Sequence, residues 1–429
     1  QDTIQLLEYF HAETDIIDVS CGLVDSIQYQ IDANYLPDGW RSYMAKAVKE
    51  AFAKPVITTG NIRDPKVAQD ILERGDADLI GMGRQMIADP NWTNKVHYGK
   101  EDTIRKCISC NIGCSGHRIG LNRPIRCSVN PSVNEGEEYR SWKVKKPCNV
   151  VVIGGGTAGL EAACTAAEVG CTTFLIEKED HLGGLSVEIS KIPDKKRLRD
   201  FPDYLIHRAE KLRNLITFTS TKATPSFVKM LKPDFIINAT GSTPLLPPIS
   251  GLRENIDAPG SQVNGILGMI QHIDQYPQDL SGKKVCVVGG GAVGLDVVEF
   301  FAKRGAAVSI VEMLPVVGKD LDTVTKVGTY DMLEKHNVQV LTSTALQEVH
   351  PDHFVVKRNE QMETLDFDYG FVCLGMRAYS PVMEELKQTF ADEDVELFNI
   401  GDSVRARRII DGVAEGRNIL NALKQKEFL

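Results

Sequence analysis

No apolar run in the 429 residues reaches the roughly 18 needed to cross a bilayer. The richest stretch, Val150 to Ile176, is broken by glycines, Glu161 and Glu168, which excludes a spanning helix. A cationic excess is missing too: 49 basic residues stand against 58 acidic ones, for a net charge of −9. Neither nucleic acid nor an anionic membrane is therefore an expected partner. Cysteine is scarce, with ten in 429 residues, too few for a disulfide scaffold. Four of the ten, Cys107, Cys110, Cys114 and Cys127, crowd together, which fits metal or cluster ligation in a reducing compartment, so a cytoplasmic protein is expected. The first residue is Gln1, and neither a basic-plus-apolar signal nor an Arg-rich transit segment follows; the chain reads as starting in mid-domain. Composition is otherwise ordinary for a folded protein, 42% hydrophobic and 25% charged, and the length suits about three compact units.

What is present is a repeat. Val150–Glu177 aligns without a gap on Val285–Glu312. Each copy runs from a valine-rich strand into G-x-G-x-x-G, then a helical stretch, a glycine and a second strand ending in glutamate. A lone glycine fingerprint is weak, but these two each follow a buried strand, open a helix and precede an acidic residue, the pattern of a dinucleotide site. Gly154 and Gly289 permit the tight turn, Gly156 and Gly291 let backbone N–H groups approach a pyrophosphate, and Gly159 and Gly294 allow close helix–strand packing. Ala158 lies within the first fingerprint. Glu177 and Glu312 are expected to accept hydrogen bonds from ribose hydroxyls, and a carboxylate at Glu312 favours NADH over NADPH.

Two nucleotide units on one chain suggest a flavin and a nicotinamide. Thr240-Gly241 follows the strand expected over Asp234 to Ile237, and Gly401-Asp402 follows the one expected over Val395 to Phe398. These pairs resemble the A-T-G and G-D motifs of two-dinucleotide flavoproteins, in which the late aspartate binds the ribityl chain of FAD; Gly183-Gly184 matches a flavin-side glycine pair of the same proteins. The first unit then carries FAD, and the second, inserted between Gly241 and Asp402, carries NADH. One helix is expected over Ile409 to Leu423.

The cysteines read Cys107-x2-Cys110-x3-Cys114-x12-Cys127. Spacing of this kind suits either Zn²⁺ or an iron–sulfur cluster. Three close cysteines and one distant one are typical of a [4Fe–4S] cubane, and flavin neighbours add a redox reason for it. The other six cysteines fall in or beside apolar segments and read as small buried hydrophobes.

Residues 1–105 alternate helix and strand, with strands expected at Ile16–Ser20, Pro55–Thr59 and Leu79–Met82. That rhythm matches the last units of a (β/α)8 barrel, which needs about 250 residues in full. Gly60-Asn61 and Gly83-Arg84 follow successive strands, where such barrels bind phosphate, so they are the candidate FMN contacts.

Together these residues resemble the enoate reductase branch of the Old Yellow Enzyme superfamily, which includes 2-enoate reductase, 2,4-dienoyl-CoA reductase and trimethylamine dehydrogenase. The resemblance is carried by Gly60-Asn61-Ile62, Gly83-Arg84, Ala88-Asp89-Pro90, Cys107-Ile108-Ser109-Cys110-Asn111, Cys114, Arg126-Cys127, Asn130-Pro131, both fingerprints and Gly401-Asp402. It implies an α/β chain. Residues 1–105 would be the C-terminal part of a TIM barrel holding FMN, and 106–147 a [4Fe–4S] segment and linker. Residues 148–250 with 366–429 would form an FAD domain, with an NADH domain at 251–365. The implied activity is an NADH-dependent reductase of an activated C=C bond in an unsaturated acid or thioester, with electrons passing from NADH through FAD and the cluster to FMN. A homo-oligomer is expected. The family's first five βα units, which carry its proton donor, have no counterpart in these residues, so no catalytic acid is assigned. Two alternatives are an amine dehydrogenase of the trimethylamine dehydrogenase type and an electron-transfer module completed by a separate partner.

Overall fold

The computed structural model describes residues 2–135 and 138–429; Gln1, Gly136 and Glu137 lie outside the described residues. The chain divides into two compact units, residues 1–136 and 137–429. The first is built on three parallel strands, Ile17–Val19, Val56–Thr58 and Leu79–Ile80, in that order across the sheet. Between them run the helices Ser42–Phe52 and Pro65–Glu73. Their apolar faces supply Ala45, Val48, Ala68 and Ile71 to a core shared with Ile17, Val56 and Trp92. The second helix starts where the sequence chemistry dictates: Asp64 accepts a hydrogen bond from Lys66 N at 3.0 Å, and Pro65 takes the first helical position. Each strand is shorter than expected. The second strand leaves the sheet where Gly60 turns the chain at φ +124°, and Gly81 N still bonds to Thr58 O at 2.8 Å just beyond the third.

The second unit carries two five-stranded parallel sheets. One runs Glu396–Asn399, Phe235–Asn238, Asn149–Ile153, Thr172–Ile176, Leu215–Phe218; the other runs Gln339–Leu341, Ala307–Val311, Lys284–Val288, Tyr369–Val372, Val263–Asn264. A fingerprint strand lies at the centre of each. Val150, Val151 and Val152 are fully buried, as a central strand covered on both faces requires. A three-stranded antiparallel sheet, Thr344–Val349, His353–Arg358 and Gln361–Asp366, belongs to neither repeat and was not foreseen. Among the described residues no helix is long and apolar enough to cross a membrane.

The expected helix over Ile409–Leu423 is two helices, Ile409–Arg417 and Ile419–Gln425, that meet at Asn418. The first is pinned against the alanine-rich helix Thr157–Glu168: a Cβ at Gly416 would lie 2.6 Å from Ala158 O, so only glycine allows this approach. Glu161, on the same alanine-rich helix, is fully buried and pairs with Arg208 at 2.8 Å and Arg417 at 2.7 Å. Glu168 extends this network to Arg208 and to the Tyr139 hydroxyl.

Burial pushes the Glu168 carboxyl up, but Arg208 and Arg140 outweigh it and hold the group down at about 2. The folded value lies below the ordinary 4.5, so the stabilisation is complete above pH 4.5 and drains away as pH falls toward 2. Glu168→Gln is expected to lose roughly 3 kcal/mol at neutral pH and to flatten the acid limb of the stability curve. Urea midpoints measured from pH 7 down to pH 2 check this; an unchanged acid limb would refute the pairing.

Candidate functional site

The two glycine fingerprints fold alike in detail. Gly154 turns at φ +106° and Gly289 at φ +109°. A Cβ there would lie 2.3 Å from Ala239 O and 2.2 Å from Cys373 O respectively, so each loop presses against the chain leaving the neighbouring strand. At Gly159 and Gly294 an added Cβ would lie 1.9 and 1.8 Å from the carbonyl oxygen of the first glycine of the loop. Gly156 and Gly291 differ: nothing stands within 4 Å of an added Cβ, so open space faces the middle of each loop. Clear access at that point is what a pyrophosphate approaching backbone N–H groups needs.

Glu177 and Glu312 also play matching parts. Glu177 Oε2 accepts from Gly155 N at 2.7 Å and Oε1 from Glu179 N at 2.9 Å; Glu312 Oε2 accepts from Gly290 N at 2.6 Å and Oε1 from Leu314 N at 2.7 Å. Each carboxylate clamps its own glycine loop through both oxygens. Gly183 N bonds to Gly155 O at 2.8 Å, and Gly318 N bonds to Gly290 O at 2.7 Å. Gly318 is the second copy's counterpart of Gly183 and was overlooked, although it falls in the register of the repeat. Gly184, beside Gly183, places its own would-be Cβ 3.0 Å from Gly156 Cα, so this pair packs on the loop rather than standing apart from it.

Beside the sheet of the first fingerprint, Gly241 has φ +81°, and the Thr240 hydroxyl donates to Tyr379 O. Asp402 Oδ1 accepts from Arg407 N at 3.0 Å and Oδ2 from the Ser242 hydroxyl at 3.1 Å. Ala158 faces a different task from its neighbours: its methyl fills the space beside Gly401 and Gly412, where added Cβ atoms would come within 3.0 and 3.2 Å of it.

In the first unit, a cavity of about 370 Å³ opens beyond the strand ends, lined by Gly60, Asn61, Gly83 and Arg84 together with Asp32 and Arg41. Its size suits a cofactor or ligand. Gly83 leaves open space where a Cβ would stand. The side chains of Asn61 and Arg84, candidate FMN contacts that line this cavity, are also engaged with protein. Asn61 Nδ2 donates to Ala33 O and Leu36 O at 3.1 Å each, and Oδ1 accepts from Arg84 at 2.8 Å and from the Ser109 hydroxyl at 3.1 Å. Arg84 also donates to Asp32 O at 2.9 Å, to Asp32 Oδ2 at 3.2 Å and to Asn111 Oδ1 at 2.6 Å. The half-buried Arg84 guanidinium pairs with Asp32 at 3.2 Å, and Asp32, 5% exposed, pairs with Arg41 as well. Asp32 was not singled out from sequence, because an isolated aspartate in a turn carries no spacing signal.

Cys107, Cys110, Cys114 and Cys127 all line a second, smaller cavity, and Arg84, Cys107 and Cys114 line both. Burial pushes the Cys110 thiol up to about 12 and the Cys127 thiol up to about 11, and it raises Cys114 as well. Unaided, these groups stay protonated at neutral pH; a bound cation would have to drive off the protons. Among the described residues no three Cys, His, Asp or Glu side chains stand close enough to hold one metal ion. Tetrahedral zinc with 2.3 Å bonds needs its sulfurs about 3.8 Å apart. A cubane binds one thiolate at each iron corner and spreads them farther, so four thiols round a shared cavity fit the cluster better than the single ion. The buried Asn111 Nδ2, which lacks a protein acceptor, also fits a cavity that receives a sulfur-rich group.

Residues 148–397 match the family described as pyridine nucleotide-disulphide oxidoreductase, as does 133–200. The chain belongs to that family. Residues 4–103 of the oxidoreductase match a second family, NADH:flavin oxidoreductase / NADH oxidase. An NADH oxidase of Thermoanaerobacter brockii is 35% identical over 409 residues, covering 94% of this chain and 61% of that protein. A cinnamate reductase of Clostridium sporogenes is 27% identical over 402 residues, covering 92% and 57%. A solved 2-naphthoyl-CoA reductase complex superposes with a TM-score of 0.85 at 24% identity, over 97% of this chain and 61% of its own, and so shares the fold. These matches make the chain an oxidoreductase of the pyridine-nucleotide and flavin type. The chain spans about three-fifths of the length of the curated relatives it matches.

Proposed function

We propose that the chain is the electron-conducting part of an NADH-dependent reductase of an activated C=C bond, of the 2-enoate or enoyl-thioester class. The observation that carries this reading is the shared wall: Arg84, Cys107 and Cys114 line both the thiol cavity and the larger cavity beside Gly60 and Gly83. Two redox groups seated there would be separated by a few side-chain atoms. When bound, NADH would supply a hydride to FAD, the cluster would pass the two electrons on one at a time, and FMN, taking up a proton from solvent, would supply a new hydride for the β-carbon of the acceptor. The cinnamate reductase among the relatives supports that acceptor class.

Within this reading residues 1–105 hold FMN through Gly60 and Gly83, with Asn61 and Arg84 shaping the wall. Residues 106–147 hold the cluster through the four cysteines. The FAD domain comprises 148–250 and 366–429, with Gly154, Gly156, Gly159, Gly183, Gly184, Gly241 and Asp402 at the flavin. The NADH domain is 251–365, where Gly289, Gly291 and Gly294 admit the pyrophosphate and Glu312 meets the ribose. An intact second fingerprint argues against the amine dehydrogenase direction, in which NADH would have no task.

The test is an anaerobic titration of the purified chain. NADH is expected to bleach the FAD band and reduce the cluster. NADPH is expected to act about tenfold more weakly or worse, the factor that about 1.4 kcal/mol of repulsion at Glu312 imposes. Reduction by NADPH alone would overturn the role of Glu312. About one zinc per chain and no acid-labile sulfide would end the relay.

A further inference from the structure

We propose that Asn111 donates a side-chain N–H hydrogen bond to a sulfur of the iron–sulfur cluster, and that Arg84 locks it in that orientation from the wall of the flavin cavity. The inference rests on the cluster reading given above and concerns a residue outside the ligand set. Asn111 stands between Cys110 and Cys114 and is 1% exposed. Its backbone adopts the left-handed conformation at φ +56°, which asparagine tolerates better than most residues.

The amide orientation follows from hydrogen-bond chemistry. Arg84 Nη1 approaches one end of the amide at 2.6 Å, and a guanidinium can only donate, so that end is the oxygen. The NH2 group is then the end turned away from Arg84, and Nδ2 has no acceptor in the protein. A buried donor left unpaired costs about 1–3 kcal/mol, so its acceptor has to come from whatever enters the cavity that Asn111 lines with the four cysteines. Cluster sulfide and cysteine thiolate are the acceptors such a group brings. Two further donors already address these sulfurs: Ser109 N lies 3.4 Å from Cys107 Sγ, and the Ser128 hydroxyl lies 3.2 Å from Cys110 Sγ. Asn111 completes this ring.

A hydrogen bond to sulfur stabilises the more negative, reduced cluster and so raises its potential. The second arm of Arg84 holds Asn61 at 2.8 Å and Asp32 at 3.2 Å in the wall of the larger cavity. The donor on the cluster and the wall of the flavin site are thus fixed by one guanidinium.

The experiment uses the full chain with its reconstituted cluster. In protein carrying ¹⁵N only in asparagine side-chain amides, pulsed electron paramagnetic resonance of the reduced cluster is expected to show a nitrogen coupling and an exchangeable proton. The nitrogen coupling and the proton coupling that belongs to it should vanish in Asn111→Gly, which accepts the same backbone conformation, leaving those of Ser109 and Ser128. That variant should keep its iron while the reduced-to-oxidised ratio at a fixed ambient potential falls about tenfold, ~59 mV for one electron. Asn111→Asp keeps the acceptor for Arg84 and removes the donor, and should lose the same signals. A labelled parent protein with full iron and no nitrogen coupling overturns the proposal, as does a variant with unchanged potential and proton signal. A parent that binds no iron or sulfide instead overturns the cluster reading and this inference with it.

Discussion

Cys114→Ser is expected to strip iron from the chain while NADH still bleaches the FAD band. Cys114 lines both cavities of the first unit, so under the proposed reading it would be at once a ligand and part of the partition between the two redox sites. A serine hydroxyl is a poor ligand for a cluster built on thiolates, and the three remaining cysteines leave one iron corner open. Iron should fall from roughly four per chain to well under one. The proposed FAD segment belongs to the other compact unit, which has a core of its own. NADH-driven bleaching should therefore proceed at the parent rate, and only onward transfer should disappear. Iron analysis, visible absorbance and stopped-flow reduction under argon read the two effects separately. Loss of both together would mean that the cysteine loop is a folding staple and not a conductor.

Gly294→Ala should do the converse, blocking entry of electrons while FAD and iron stay bound. The added methyl carbon would sit 1.8 Å from Gly289 O, less than half a normal contact, and the helix Ala292–Ala302 or the loop must move by more than an ångström. Overpacking of this sort costs about 1–3 kcal/mol. A displacement of that size at a cofactor loop can lower a rate about 100-fold. Dithionite should still reduce the flavin, which separates a damaged NADH site from a missing FAD. Gly291→Ala is the useful companion, since its Cβ meets open space: it should leave stability unchanged and weaken NADH by intruding where the pyrophosphate enters. If Gly294→Ala is reduced by NADH at the parent rate, the second fingerprint is not the nicotinamide loop.

Much of the nucleotide machinery was legible in the chain because its signals are local. The gapless repeat predicts two strand–loop–helix units, and the strands Thr172–Ile176 and Ala307–Val311 fall where the pattern put them. The same register contained more than was read from it: Gly318 answers Gly183, and the Leu314 amide answers that of Glu179. The break at Asn418 escaped because the helical pattern runs on through it; what pins the first segment is contact with a helix some 250 residues earlier in the chain.

The sequence by itself determined the glycine loops, the glutamates that clamp them and the four thiols, since each depends on residues close in the chain whose backbone and ligand chemistry admit few substitutes. Tertiary structure alone decided how Asp32, Asn61, Arg84 and Asn111 meet. Their hydrogen bonds join residues 23 to 52 positions apart, and no periodicity links them. It also tied Asn61 and Arg84, candidate FMN contacts on the cavity wall, into one hydrogen-bonded network, and set the Ala158 methyl between helices. Burial is the reason. Once a guanidinium or an amide is enclosed, it must be satisfied by whichever partners the fold brings within 3 Å or so, and only the folded chain specifies which they are.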